Sequence, residues 1–588
     1  MEQSIPAPPS SRAGVSAGLP LCCLLLALWA VEVLLIGPLT FTGDEVRYAA
    51  YGLGLLHGQG FHPSDALWRA MLDASGLVSP LTTSPAGHVG RLIHSVVYPI
   101  LGAPALSFAG ISGARWLSFG VGAAGLLVLF AALRHRFSQT VCLTTLAAVA
   151  FACPIILYLR LFFAEILLFA VNAVVLWFFL TDRYKDPANA LFAAAGLCLL
   201  PFVHVKLSLE AAVAFLIVFF TVRRALPLPR RLAMFAIAGA LFLLYLLYNH
   251  VLFGALIGGG NPAFPVSLQA IPDRIMVNLV DMRHGLLPNA PHLLLAFVGL
   301  VWLWQDDGDG GRIVAGLLGA YFFTMLWANG SEAYAARNWV AAMPFVAAGL
   351  ARWLAEPGRW AKYLALPFFL LSFCLLCVLV RFPDAFLDSR NYSVPYERLF
   401  ELLPGLHFGY LLPYDFLDHE GAGLNASLGR GLGVLAVLGL FAAGQLLAAR
   451  PWRRGPGLTA QVLALVVILF FSLVEKVDNV AVAMTRDAHQ YYVNCALPRP
   501  MRLAFIRIDN PPAPVKPHGF FTVLLAENSG LAAYRARASV ITPLPPLTRV
   551  SAVMIAETIS RPDKRWLDSA TGAALYRRLL PLPGLHLN

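Results

Sequence analysis

Charge is scarce in this chain: Asp, Glu, Lys and Arg together make up 13% of its 588 residues, against 59% hydrophobic. Soluble globular domains average about 25% charged residues over the whole chain, so this composition argues against one. Seven of the eight cysteines, Cys22, Cys23, Cys142, Cys153, Cys198, Cys374 and Cys377, lie inside apolar runs, and only Cys495 has polar surroundings. Neither a disulfide framework nor a zinc site follows from that distribution. His284, His292, His407 and His419 lack the paired spacing of metal ligands, and no metal ligand is assigned. The Gly-rich stretch IGGGNPAFP (257–265) has no strand before it and no Gly-Lys-Ser/Thr after it, which excludes a nucleotide loop; a lid over a site is its remaining functional reading.

What is there is sequence suited to lipid. Mean hydropathy is +0.70 over the whole chain, and apolar runs long enough to cross a hydrocarbon core as helices recur throughout. About thirteen spans are expected, near 19–39, 114–133, 139–158, 166–181, 188–203, 207–222, 232–253, 291–304, 313–328, 339–354, 361–380, 430–449 and 459–475. The fold class is therefore an α-helical polytopic membrane protein. The first run follows a short segment with one Arg and no small-residue cleavage site after it, so it reads as a retained span and not a cleaved signal.

The net charge of +11 concentrates in short polar breaks, which makes it a topology signal and not a nucleic-acid footprint. The breaks at 134–138, 182–187, 223–231, 305–312, 352–362 and 450–457 hold fifteen Lys or Arg, while 159–165, 203–206 and 329–338 hold one each. The positive-inside bias puts the N-terminus in the cytoplasm and the second set of breaks outside. In this register 91–111, with Pro99 and Pro104, lies along the outer surface as interfacial helices within a first outer loop of about 40–113. Two regions are expected: a transmembrane domain over 1–475, and an outer-face C-terminal domain over 476–588. That tail carries alternating β-branched and aromatic runs, LAFIRI, GFFTVLLA, YRARASVIT and VSAVMIAETI, which predict a small β-rich domain packed on the membrane part. With almost all polar mass outside, the protein is expected to act at the outer face of the cytoplasmic (inner) membrane, in contact with membrane lipids.

The candidate chemistry begins at TGDEVRYAAY (42–51), directly after the first span. Asp44 and Glu45 sit at the water interface, where a carboxylate is tolerated at modest cost. Gly43-Asp44 is also a good N-cap for the helix that follows. Arg47 and Tyr48 on the same helix start favour a base that meets a hydroxyl or phosphate partner. Glu165, opening the fourth span, is expensive unless paired or working in a cavity. Arg160, five residues earlier, is its expected ion-pair partner, and the topology sets Glu165 at the same face as Asp44. Lys206 beside His204 reads either as a snorkelling side chain or as a site cation. Arg337, before the tenth span, reads either as a lipid-phosphate ligand or as an interfacial anchor with Trp339.

The DEVRYA stretch, the interfacial segment, GARWLSFGVGAAGLLVLFAALRHR and then an acid opening the fourth span together resemble the GT-C glycosyltransferases. The layout is most similar to the lipid A aminoarabinose transferase and protein O-mannosyltransferase group. That resemblance implies a polyprenyl-phosphate sugar donor used on the outer face, and an acceptor that is a lipid, glycan or protein. It implies Asp44 as catalytic base and Glu165 in the place usually held by a second Asp. It also implies that Arg91, with His94 nearby, stands where the aminoarabinose enzymes place a phosphate-contacting Lys. Glu45, Arg47, Tyr48, Arg160, Lys206 and Arg337 complete the expected substrate-binding set. The expected reaction is an inverting sugar transfer. No cofactor is assigned; a divalent cation, Mg or Mn, is compatible with paired acids, but a monophosphate donor does not demand one. The rival readings are a lipid-linked glycan ligase or polymerase, on the strength of Arg381, Arg390, Arg398 and His407 in the 381–429 loop, and a polytopic transporter. The absence of an inverted repeat and the one-sided polar mass weigh against the transporter.

Overall fold

A computed structural model describes residues 18–60, 95–256, 271–383 and 424–473, short interruptions apart, and five strands between 481 and 537. The chain divides into two compact units, Met1–Leu399 with Leu438–Ala464, and Phe400–Val437 with Leu465–Asn588.

The first unit is helical throughout its described residues. Helix α1 (Gly18–Ala30) widens into a π-turn over Val31–Ile36 and ends at Gly37, whose φ of 72° suits glycine. Helix α2 (Asp44–Leu56) follows. Helix α3 (Val97–Arg134) is continuous in hydrogen bonding except at Ala109 and Gly110, where φ values of −140° and 58° break it in two. Gly110 alone allows that reversal, since a side chain at positive φ would be strained. The break falls near the end of the expected interfacial segment 91–111, shortly before the span expected from 114. The two halves are tied together where Tyr98 Oη meets Ser118 Oγ at 2.6 Å.

Next come α4 (Gln139–Ala150), the short α5 (Cys153–Tyr158) and α6 (Ala164–Leu180), then α7 (Ala190–Val203), α8 (Ser208–Val222) and α9 (Leu228–Phe253). After these lie α10 (Ile271–Leu279), α11 (Leu286–Asn289), α12 (Leu294–Asp306), α13 (Asp309–Trp327), α14 (Met343–Ala355) and α15 (Arg359–Arg381). Among the described residues, five helical segments are long and apolar enough to cross a membrane: Gly18–Ile36, Val97–Arg134, Val205–Val222, Leu228–Phe253 and Lys362–Arg381. Six shorter apolar helices accompany them. A multi-pass membrane protein follows from that content; the full thirteen-span count stays an expectation.

The surface chemistry agrees. Phe192 is 83% exposed and Val251 69%, in keeping with helices that face hydrocarbon. Within the bundle, apolar attraction between helices is weak and close backbone approach replaces it. Gly299 on α12 and Gly349 on α14 face each other so closely that a Cβ on either would strike the other helix's backbone. Gln445 and Gln461, within Leu438–Ala464, add a buried amide relay: Trp353 Nε1 donates to Gln445 Oε1 at 3.2 Å, and Gln445 Nε2 to Gln461 Oε1 at 2.7 Å.

In the second unit, strands β1 (Ala481–Asp487), β2 (Gln490–Ala496) and β3 (Ala504–Asp509) form an antiparallel sheet in the order β1-β2-β3. Strands β4 (Phe520–Glu527) and β5 (Gly530–Arg537) form an antiparallel pair. The expected run 550–559 lies outside the described residues.

Candidate active site

The site is built where four chain segments begin or end near one level of the helical unit. Helix α2 opens with Asp44 and Glu45, α6 opens with Ala164-Glu165, Lys206 lies in the 3₁₀ turn Val205–Leu207 that leads into α8, and Arg337 opens the 3₁₀ turn Arg337–Trp339 before α14. Each of these charged residues therefore sits at, or in the turn just before, the start of a helix.

Arg337 is the hub. Its Nε donates to Glu165 Oε1 at 2.7 Å and its Nη2 to Asp44 Oδ2, while its guanidinium lies 4.7 Å from the centroid of the Phe163 ring. One planar fork thus holds two acids from separate segments, a geometry that Lys cannot reproduce. Burial by itself would lower the Arg337 pKa, but Asp44 and Glu165 hold it well above the ordinary arginine value, so its charge is permanent. Lys206 Nζ stands 3.5 Å from Glu165 Oε1 and donates to Asn338 Oδ1 at 3.1 Å. Arg47 Nη1 lies 3.6 Å from Asp44 Oδ1, one helical turn on.

Access differs among these groups. The side chains of Asp44, Arg337 and Lys206 are 12%, 14% and 14% exposed, whereas that of Glu165 is fully buried. Glu165 Oε2 has no hydrogen-bond partner, which leaves a buried acceptor beside two cations. Tyr48 is fully buried, with its ring edge-on to Tyr98 and Phe162 at centroid distances of 6.2 and 6.0 Å. Burial first, then Glu165 and Asp44, push its hydroxyl well above the usual tyrosine value, so Tyr48 remains a neutral phenol that packs and does not touch bulk solvent.

Two expectations need correction. Arg160 does not pair with Glu165. Its Nη1 donates to the Glu32 and Gly37 carbonyls at 2.5 and 2.7 Å, and its guanidinium faces Trp116 at 5.9 Å. It caps the end of the first span, where helix carbonyls lack partners and the dipole attracts a cation. Glu165 is neutralised instead by Arg337 and Lys206. Glu45, expected among the substrate-binding residues, points the other way from Asp44. It is fully buried and accepts from Arg115 Nε at 2.9 Å, Arg115 Nη2 at 2.6 Å and the Phe162 N–H at 2.8 Å. Arg115 Nη1 also donates to the Leu39 carbonyl at 2.7 Å. That arrangement ties the exit of the first span, α2, α3 and the 159–163 turn together, so these contacts of Glu45 are structural. Arg91, His94 and the 257–265 stretch lie outside the described residues.

Several residues at or near the site were not singled out from the sequence. Arg115 was visible only as part of GARWLSF. Glu32, in the π-turn of the first span, is fully buried and neither carboxyl oxygen has a hydrogen-bond partner. Asn172 and Glu210 lie one to two turns below the cluster. The available signal was an ionisable or amide side chain interrupting an apolar run, which marks Glu32, Asn172 and Glu210 alike. Asn338 joins Lys206 to α10, since its Nδ2 reaches Asn278 Oδ1 at 3.4 Å and Trp339 Nε1 donates to the Asn278 carbonyl at 2.6 Å. Among the described residues, no group of three or more His, Cys, Asp or Glu is placed to hold a metal ion.

No family model and no curated protein matches this sequence. Among solved structures the chain is similar to ArnT from Cupriavidus metallidurans bound to undecaprenyl phosphate, at 16% identity and a TM-score of 0.39, covering 77% of this chain and 76% of that one. It is similar also to the apo state of that protein, at 16% identity and a TM-score of 0.37, covering 77% and 75%.

Proposed function

We propose that this protein is a membrane glycosyltransferase that moves a sugar from a polyprenyl-phosphate donor to an acceptor hydroxyl at the outer face of the cytoplasmic membrane. The observation that carries the reading is the Arg337 fork shared by Asp44 and Glu165 with Lys206 beside it. Counting the ion-pair partners, Asp44 and Glu165 face Arg337, Lys206 and Arg47, while Glu45 and Arg115 neutralise each other. The cluster holds one positive charge in excess, set at the mouth of apolar helices. A phosphodiester monoanion on an apolar chain matches both properties, because a buried charge is tolerated when its countercharge is already in place.

The chemistry follows from the positions. Phosphate oxygens binding near Arg337 and Lys206 compete with the carboxylates for those cations and loosen the hold of Arg337 on Asp44. Asp44, the more exposed of the two acids, then takes the acceptor proton. The acceptor atom bonds to the anomeric carbon from the face opposite the phosphate. The bond between that carbon and the phosphate oxygen breaks, and its electrons leave with the polyprenyl phosphate. Inversion results. The cations stabilise the charge as it grows on the leaving oxygen, so no separate general acid is required. Glu165, fully buried, keeps Arg337 and Lys206 in place.

The deciding experiment is transfer from a radiolabelled polyprenyl-phosphate sugar by the purified protein in lipid. Asp44→Asn is expected to lose transfer by about a thousandfold or more, as removal of a general base together with its charge requires, in protein that is still folded. Undiminished transfer in that variant refutes the reading.

A further inference from the structure

Below the charged cluster lies a second polar layer that the proposed reaction does not use. Glu210 follows Lys206 by four residues and Asn172 follows Glu165 by seven, so each shares a helix face with the charged residue above it. Both are fully buried. Asn172 Nδ2 donates to Glu210 Oε2 at 3.2 Å and to the Ala341 carbonyl at 2.9 Å. A carbonyl only accepts, so the contact with Ala341 fixes which end of the amide is the nitrogen.

Ala341 lies where the chain passes from the turn bearing Arg337 into α14. Its carbonyl has no helical partner there: Pro344, three residues on, has no N–H, and the Phe345 N–H goes to Ala342 instead. Asn172 supplies the missing donor. The three elements that carry Glu165, Lys206 and Arg337 are therefore joined twice, by ion pairs at the upper level and by one amide below.

Glu210 Oε1 and Asn172 Oδ1 have no hydrogen-bond partner, and among the described residues no cation forms an ion pair with Glu210. A charged carboxylate with a single neutral donor at this depth is among the costliest arrangements in a membrane protein, and a carboxylic acid avoids that cost. We propose that Glu210 is held as a neutral carboxylic acid and that, with Asn172, it forms a positioning pair setting the register of the Arg337 segment against Glu165 and Lys206. The catalytic consequence rests on the glycosyltransferase reading; the protonation state and the register do not.

The tests separate the two. Infrared difference spectra of wild-type protein and Glu210→Gln in lipid nanodiscs at neutral pH should show a protonated-carboxyl C=O stretch that the variant lacks; a lost carboxylate band in its place overturns the proposal. Backbone hydrogen exchange over 337–345 should quicken in Asn172→Ala and stay at wild-type rates in Glu210→Gln, and equal rates in all three proteins overturn the register claim. With a radiolabelled polyprenyl-phosphate sugar, Glu210→Gln should rescue kcat to within about threefold of wild type. Glu210→Ala and Asn172→Ala should lose about a hundredfold in kcat with little change in KM, the scale expected for a displacement of about 1 Å in a catalytic group. Failure of Glu210→Gln as severe as that of Glu210→Ala means the negative charge is needed, and the neutral-acid assignment falls. If the wild type transfers no sugar, the parent reading fails, and the infrared and exchange results still decide for or against Glu210.

Discussion

Glu45 and Asp44 are neighbours in sequence with opposite expected fates, and the sharpest test exploits that. Replacing Glu45 by Ala removes the partner of an Arg115 side chain that is only 9% exposed, and it strands the Phe162 N–H as well. Breaking a buried ion pair from one side costs about 3–5 kcal/mol, because the remaining charge loses its compensation while staying out of water. At roughly 2 °C per kcal/mol for a large chain, the melting temperature in a mild detergent should fall by roughly 5–10 °C. Removing both partners should be far milder. In Glu45→Met with Arg115→Met no charge is buried, the side-chain volume is approximately kept, and most of the loss should return. A double-mutant cycle is then expected to give a coupling of about 2–4 kcal/mol. The measurement is thermal unfolding of all four proteins, with sugar transfer on the fraction that remains folded. A Glu45→Ala protein that melts like wild type yet transfers nothing refutes the structural assignment and puts Glu45 in the chemistry.

Removing Arg337 takes away the cation that Asp44 and Glu165 share, so Arg337→Ala should lower stability by about 3 kcal/mol or more in thermal melts and cut transfer by at least about a hundredfold. Arg337→Lys keeps the charge but not the fork, and transfer assays should place it between Ala and wild type. Ala336, directly before it, has a φ of 49°, one of two positive values among the described non-glycine residues. Ala336→Gly should raise the melting temperature slightly, by an amount matching about 0.5–1 kcal/mol, whereas Ala336→Val should destabilise by more than that.

Much of the fold was legible because lipid imposes a simple rule on backbone polar groups. The apolar runs gave helices, and the break at Ala109 and Gly110 falls within the last residues of the Pro-containing segment expected before the span at 114. Asp44, Glu165, Lys206 and Arg337 were legible as candidates because each is a charge at the edge of an apolar run. Their pairing was not. Arg160 is five residues from Glu165 and Arg337 is 172, yet the distant residue holds the acid. Sequence proximity favoured the local partner; the unpaired carbonyls at the end of the first span claimed Arg160 first, and only the packing of α6 against the 337–339 turn decides the rest.

The adjacent acids show why a motif can be found without its parts being assigned. Successive residues on a helix point about 100° apart, so two neighbouring carboxylates at one helix start cannot both face the same cavity. One must turn inward. In this protein Glu45 turns towards Arg115 and the Phe162 N–H, three donor bonds that satisfy it fully, and Asp44 is left on the side where Arg337 and Arg47 approach. Glu45 thereby fixes the rotation of α2 about its own axis, and that rotation aims Asp44. The direction in which Asp44 points thus depends on Glu45 being occupied, so a variant that frees Glu45 should disturb Asp44 without touching it.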